Sequence, residues 1–342
     1  MTASLPILSV KNLTTRLQIG NSIWTIVDHL NFDLYRGKTL ALVGESGCGK
    51  SMTALSLMRI LPSPPALPIE GEVLYQGRNL LSINEKEMRA IRGAKISMIF
   101  QDPMGALNPV FTIGSQLIEV AELHLKIYGE AALARAIEAL DQVGIPHPEK
   151  RINDYPHQLS GGLKQRVMIA MALMCEPDIL IADEPTTALD VTIQAQVLDL
   201  MRRLQREKGM AILLITHDMG VVADMADDVI VMYMAQGIEK GEIFEIFDHR
   251  AHPYTMGLFN SRPSIQTNKG KLKSIKGTVP SFNQIPSGCR FHPRCPFVMP
   301  KCRTGAVPDF NIDSSPTHLA KCWLYDQTEE SRLSWELNKD TN

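Results

Sequence analysis

Ile179-Leu-Ile-Ala-Asp-Glu-Pro-Thr-Thr-Ala-Leu-Asp190 is the stretch on which the fold turns. Ile179 to Ala182 are all apolar, as in a short strand buried on both faces of a parallel sheet. Asp183 and Glu184 close that strand. Ligands of open α/β sheets bind at the carboxyl ends of strands, so these acids are expected to face the site. Successive strand residues point to opposite sides, so the two carboxylates need not share one job. Asp183 suits a hydrated Mg²⁺, and Glu184 suits orienting or deprotonating a water. Two acids that merely terminate a strand would read the same way in isolation. The rest of the chain separates the readings.

Upstream, Leu40-Ala-Leu-Val43 reads as another buried strand and runs into Gly44-Glu-Ser-Gly-Cys-Gly-Lys-Ser51. A helix is expected over Met52 to Leu61. Strand, glycine loop and helix is the setting that GxxxxGK[ST] requires, and Gly44, Gly49, Lys50 and Ser51 complete it. Glycines let backbone N–H groups curl around phosphate oxygens, and the helix start adds positive potential. Lys50 is expected to reach the β- and γ-phosphates, and Ser51 to ligate Mg²⁺. The expected nucleotide contacts are therefore Gly44, Glu45, Ser46, Gly47, Cys48, Gly49, Lys50, Ser51 and Met52.

Residues 5 to 35 alternate loosely and predict antiparallel strands ending at Arg36-Gly37. Ile96 to Phe100 reads as a strand ending at Gln101, whose amide is placed to meet Mg²⁺ or the attacking water. Residues 105 to 158 turn helical, with Leu133, Ile137 and Leu140 on one face and Gly144 as C-cap. Leu159-Ser-Gly-Gly-Leu-Lys-Gln-Arg166 then opens an apolar helix. Ser160, Gly161 and Gly162 would expose N–H groups there, a second anion site or simply a cap. Val191 to Arg206 is helical, Ala211 to Ile215 is a strand ending at Thr216-His217, and Val229 to Met234 is a further strand.

The chain has 342 residues, 44% hydrophobic and 21% charged, with a formal net charge of −2. That is globular, long enough for a large domain and a smaller one, and without a basic footprint for nucleic acid. No apolar run approaches the ~20 residues a membrane-spanning helix needs. Met1 to Leu8 lacks the basic start and apolar core of a signal peptide. A cytosolic protein is expected, one able to bind a membrane partner. Six cysteines in such a compartment argue against a disulfide framework. Four of them, Cys289, Cys295, Cys302 and Cys322, fall after residue 288 in a Pro-rich segment of weak apolar periodicity. So small a unit needs a staple, and four thiols can hold zinc or an iron–sulfur cluster. Their spacings of five, six and nineteen intervening residues do not match paired CxxC zinc ribbons. Cys48 falls at a variable loop position, and Cys175 reads as a core residue.

The ordered set of phosphate loop, Gln101, LSGGLKQ (159–165), ILIADE (179–184), ALD (188–190) and His217 resembles the ATP-binding subunit of ATP-binding-cassette (ABC) transporters. The resemblance covers roughly residues 5 to 255. It implies an α/β P-loop ATPase cassette with a RecA-like core, an antiparallel β subdomain and a helical subdomain at about 105–165. It also implies Mg-ATP, with Asp183 holding Mg²⁺ through water, Glu184 as general base, and His217 on the γ-phosphate. Gln101 would sense the nucleotide and pass its state to the helical segment, where a permease docks. In that family Ser160, Gly161, Gly162 and Gln165 serve the ATP of an opposite cassette, and Asp190 belongs to the loop at that interface. Leu163-Lys164 departs from the usual LSGGQ run while keeping the Ser and Gly that meet phosphate. Trp24 is the candidate adenine platform, a core indole being the alternative.

Phe100 to Pro109, Tyr155-Pro-His-Gln158, Ala188 to Gln196 and His252-Pro-Tyr-Thr255 are similar to the dipeptide/oligopeptide importer branch. That branch carries a C-terminal extension, here 256–342. Its GC…PRCP…C…C pattern is associated with a [4Fe–4S] cluster, which the resemblance favours over zinc at Cys289, Cys295, Cys302 and Cys322. The implied partners are a second, distinct cassette chain, two permease subunits and, indirectly, a substrate-binding protein, at the cytoplasmic face of the membrane. Nickel, glutathione or an antimicrobial peptide are alternative cargoes. A soluble ABC ATPase of DNA repair or translation is disfavoured by the single cassette, the lack of a coiled coil and the lack of a basic patch. Intact Glu184 and His217 argue against a non-hydrolysing partner chain.

Overall fold

The computed structural model describes residues 5–187, 189–261 and 275–338. Among them, strands β1 (Leu8–Ile19) and β2 (Ser22–Leu34) form a hairpin, with β4 (Glu70–Tyr75) pairing to β1 and β5 (Arg78–Asn79) to β4. The larger sheet contains β3 (Thr39–Val43), β6 (Ile96–Ile99), β7 (Ile179–Asp183), β8 (Ala211–Ile215), β9 (Asp228–Tyr233), β10 (Gln236–Glu242), β11 (Phe310–Asn311) and β12 (Leu319–Ala320). Its order is β11-β12-β10-β9-β3-β8-β7-β6. The run β9-β3-β8-β7-β6 is parallel, and β10, β12 and β11 add antiparallel.

Every residue of β3, β7 and β8 is buried. Their side chains alternate between two cores, as a period of two demands. Leu180, Ala182, Ile212 and Leu214 face the core that also takes the helices. Ile179, Ile181, Ala211, Leu213 and Ile215 face the core shared with β1, β2, β4 and the helix Lys50–Leu57. A strand covered on both sides has no polar face to show, which is why these stretches read as unbroken apolar runs.

Between β6 and β7 the chain is helical: Ile113–Val120, Ala121–Leu125, Gly129–Gln142, Pro148–Arg151 and Gly161–Leu173. Thr112 starts the first by accepting from Ser115 N–H at 3.2 Å. The helix Gly129–Gln142 corrects one expectation. Its buried face is Ala132, Ala136, Ala139 and Leu140, while Leu133 is 39% exposed. Small alanines bring neighbouring helices close, and periodicity judged from large residues alone misplaced the face.

The boundary expected after residue 255 runs through the helix Pro253–Asn260, and β12 pairs with β10 through Glu239↔Ala320 and Lys240↔Leu319. An open sheet edge offers unpaired N–H and C=O groups, and the extension satisfies them instead of folding apart. Phe291 of the extension packs with Val43, Val231, Tyr233 and Tyr254 in one core. Among the described residues no helix is long and apolar enough to cross a membrane.

Candidate active site

The phosphate loop leaves β3 with Gly44, Gly47 and Gly49 at φ of 152°, 79° and 110°. Gly49 has a second reason to lack a side chain. A Cβ there would meet the Ile26 carbonyl oxygen at 2.4 Å, because β2 runs hard against the loop. The helix Lys50–Leu57 starts at Gly49 with no side-chain cap, so its first N–H groups stay available to an anion. Lys50 is only 5% exposed, and its ammonium donates to the carbonyls of Gly44 (2.8 Å) and Glu45 (3.1 Å). A buried ammonium whose partners are two carbonyls and the Cys48 sulfur (3.8 Å), none of them charged, still wants negative charge. The loop thus fits a polyphosphate.

Ser51 Oγ donates to Asp183 Oδ1 at 3.0 Å, so the two expected Mg²⁺ groups stand together. Burial pushes the Asp183 carboxyl up to about 6; the Ser51 hydrogen bond and Lys50 pull it down, and neighbouring Glu184 adds to the rise. An acid so placed gains from a cation, and the Ser–Asp pair fits Mg²⁺.

Glu184 has a φ of +47°, unusual for a residue with a Cβ, and its N–H donates to the Ile215 carbonyl at 2.8 Å. This turn aims its carboxylate at three groups, Thr187 of the same turn and two from the ends of other strands. Oε2 accepts from Gln101 Nε2 (3.1 Å) and Thr187 Oγ1 (2.8 Å), and Oε1 lies 3.1 Å from His217 Nδ1. Burial raises the Glu184 carboxyl, but the hydrogen bonds from Thr187 and His217 and the charges of His217 and Lys50 outweigh it. The carboxyl therefore lies below its ordinary range and is ionised at neutral pH, as a proton acceptor must be. The residues expected to do chemistry, Gln101, Glu184 and His217, are brought together. Thr187 is an addition that sequence reading passed over; its place three residues after Glu184, in a tight turn, was the available signal.

Ser160 caps the helix Gly161–Leu173 by accepting from Leu163 N–H, and Ser160 and Gly161 are exposed. Gln165 differs from the expectation that groups it with them. It is 2% exposed and its amide donates to the Pro185 carbonyl at 2.5 Å. One turn into the helix, its side chain meets its own chain's core and braces the loop that carries Glu184. Asp190 caps the helix Val191–Lys208 by accepting from Ile193 N–H at 3.0 Å, and the neighbouring Val191 is 83% exposed. Ala188 lies outside the described residues. Trp24 stands in β2 two positions before Ile26, the residue pressed on Gly49, and its buried Nε1 has no partner. Cys48 is buried, its carbonyl accepting from Ala235 N–H at 2.8 Å. Cys175 is half-buried.

Cys289, Cys295, Cys302 and Cys322 line one small cavity together with His252 and Trp323. Burial pushes the thiols up, Cys289 to about 11 and Cys295 to about 12, with Cys302 and Cys322 raised in the same direction. His252 Nδ1 accepts from Tyr254 N–H at 3.0 Å, so its proton sits on Nε2. That Nε2 and Trp323 Nε1 are both buried without a partner. Among the described residues no group of three or more His, Cys, Asp or Glu side chains is arranged to hold a metal ion.

The ABC transporter family matches residues 27–187, and the C-terminal region of oligopeptide/dipeptide transporters matches residues 238–302. The dipeptide transport ATP-binding protein DppD of Bacillus subtilis is 49% identical over 95% of this chain and 96% of its own length. This chain belongs to the family of ATP-binding subunits of dipeptide and oligopeptide ABC transporters. The oligopeptide transport ATP-binding protein OppD of Haemophilus influenzae is 46% identical over 93% of this chain and 97% of its own. Among solved structures, the dimeric ATP-binding cassette MJ0796 bound to ADP and Pi aligns with a TM-score of 0.62 at 28% identity, covering 69% of this chain and 98% of that one. The cassette fold and ATP hydrolysis expected from the sequence are thereby established for this ABC ATPase.

Proposed function

We propose that this chain is the ATP-hydrolysing subunit of a membrane importer and drives uptake of dipeptides or oligopeptides through separate permease subunits. The observation that carries the chemical reading is the convergence of Gln101, Thr187 and His217 on Glu184, beside the Ser51–Asp183 pair. The peptide cargo rests on the kinship with DppD and OppD along nearly the whole chain.

Lys50 and the loop N–H groups hold the polyphosphate of ATP and offset its charge. Ser51 and Asp183 would hold Mg²⁺, the latter through water, and Mg²⁺ supplies charge neutralisation on the phosphate oxygens. Glu184 accepts a proton from the attacking water as its oxygen bonds to the γ-phosphorus and the bond to ADP breaks. His217 and Gln101 fix the carboxylate's direction and lie at the γ-phosphate end. The Ser160–Gly161–Gly162 turn, its first two residues exposed, would serve the nucleotide of a second cassette, and Asp190 the interface. A related but distinct cassette chain is the partner we favour, with the pair docked to permeases on the cytoplasmic face of the membrane. The test of the whole reading is ATPase activity of the assembled transporter carrying Glu184→Gln, with nucleotide binding measured alongside.

The cysteine cavity is assigned a structural [4Fe–4S] cluster, zinc being the alternative. Four thiols lining one cavity and two unpartnered N–H donors suit a sulfur-rich, electron-rich group. Anaerobic purification, visible absorption and iron, sulfide and zinc analysis decide it. Four irons and four sulfides per chain are expected; one zinc, or four freely reactive thiols in folded protein, would overturn the cluster.

A further inference from the structure

Glu45 is an acid inside a loop built to receive an anion. Left alone, a carboxylate there would repel polyphosphate. Its side chain is instead taken up by the C-terminal extension. Arg294 Nη1 donates to Glu45 Oε2 at 2.9 Å and Nη2 to Oε1 at 3.3 Å, a two-point pair. The guanidinium is nearly enclosed, its side chain 5% exposed, and its position is over-determined. It donates to the carbonyls of Lys276 (3.1 Å) and Gly277 (3.3 Å). It also lies over the rings of Tyr233 (5.8 Å) and Phe291 (5.9 Å). The main chain of Glu45 is held from the same side, since its N–H donates to the Tyr254 hydroxyl at 2.8 Å. Lys50 in turn donates to the Glu45 carbonyl. A continuous set of contacts thus runs from Arg294, the residue before Cys295, to the phosphate-binding lysine.

We propose that Arg294 is a positioning residue for ATP: it draws the Glu45 carboxylate away from the phosphates and cancels its charge, so that nucleotide affinity depends on the C-terminal extension. The inference rests on the phosphate-loop reading above and adds a requirement from outside the cassette motifs. It does not depend on what fills the cysteine cavity. Cys295 adjoins Arg294 in sequence, so any change that displaces the cysteine loop is expected to weaken ATP binding through this pair.

The test uses the full chain, titrated with a fluorescent ATP analogue, and the assembled transporter for KM and kcat. Arg294→Ala is expected to raise Kd and KM for ATP about tenfold at low ionic strength, the order one uncancelled nearby charge produces. In the same assays kcat is expected to change by less than about twofold, as for lost uniform binding. Adding Glu45→Gln to Arg294→Ala removes the offending charge and brings KM back to within about threefold of the parent. An unchanged KM in Arg294→Ala, or a double variant as weak as the single, overturns the proposal. Should Arg294→Ala fail to fold, Glu45→Gln alone carries the test. It leaves the arginine charge uncancelled and is expected to tighten ATP at low salt, and weaker binding overturns the proposal. Lys50→Ala runs beside these variants. Full ATP affinity in Lys50→Ala would sink the phosphate-loop reading itself, whereas lost affinity there with an unchanged Arg294→Ala would sink only this inference.

Discussion

Glu184 has a backbone that a side chain rarely tolerates, at φ +47°, and such strain persists only where surroundings over-determine it. Here a backbone hydrogen bond to Ile215 and three side chains fix it. Glu184→Gln keeps the shape and removes the basicity. We expect kcat of the assembled transporter to fall by about 10²–10⁴, with ATP affinity of the chain preserved. Near-normal turnover would remove Glu184 from the role of base. Asp183, one residue earlier and the last residue of β7, bonds Ser51. Glu184 lies just past the end of β7, so it is the left-handed turn, not strand alternation, that sends two adjacent acids to different partners.

The helix Pro253–Asn260 links the cassette to the cysteine loops, and His252 caps it through Nδ1. Burial pushes His252 down to about 4, against a smaller opposing pull from Glu239. Protonation therefore favours the unfolded chain, which takes its proton near 6.5. The contribution of a neutral His252 is complete above that pH and is lost as pH falls toward 4. The loss amounts to about 3 kcal/mol at most, from 1.36 kcal/mol per pKa unit. His252→Asn retains a capping acceptor and removes the titration. Denaturant unfolding at pH 7 and pH 4.5 is expected to show a smaller acid loss in His252→Asn than in the parent. Equal losses would show that His252 does not set the acid sensitivity.

At the scale of the molecule, the exposed Ser160–Gly161 turn and the exposed Val191 beside Asp190 are surfaces a lone cassette leaves bare. An ATPase that needs a second cassette shows specific activity that rises with protein concentration or on adding its partner chain. Sedimentation with ATP is expected to reveal a pair that forms most stably with Glu184→Gln, because hydrolysis no longer reopens it. Full specific activity from a strictly monomeric preparation, independent of concentration, would contradict this.

The motifs of the nucleotide site were legible along the chain because each is local: a glycine loop at a strand end, two acids closing an apolar run, a histidine after another. Buried parallel strands announce themselves as unbroken apolar stretches such as Ala211 to Ile215, and so the α/β class could be read directly. Other features depend on contacts between residues far apart in sequence, and no local pattern encodes those. Gln165 turned inward to Pro185 because a helix start brings only its first residues to the surface. Ala132, Ala136 and Ala139 carried the helix packing, where residue size hides the face. The extension joined the main sheet through β12, since an exposed strand edge takes whatever segment can pair with it. The Arg294–Glu45 pair spans 249 residues of sequence. Only the folded chain decides that an arginine next to a cysteine reaches the phosphate loop, because charge and geometry meet there through space.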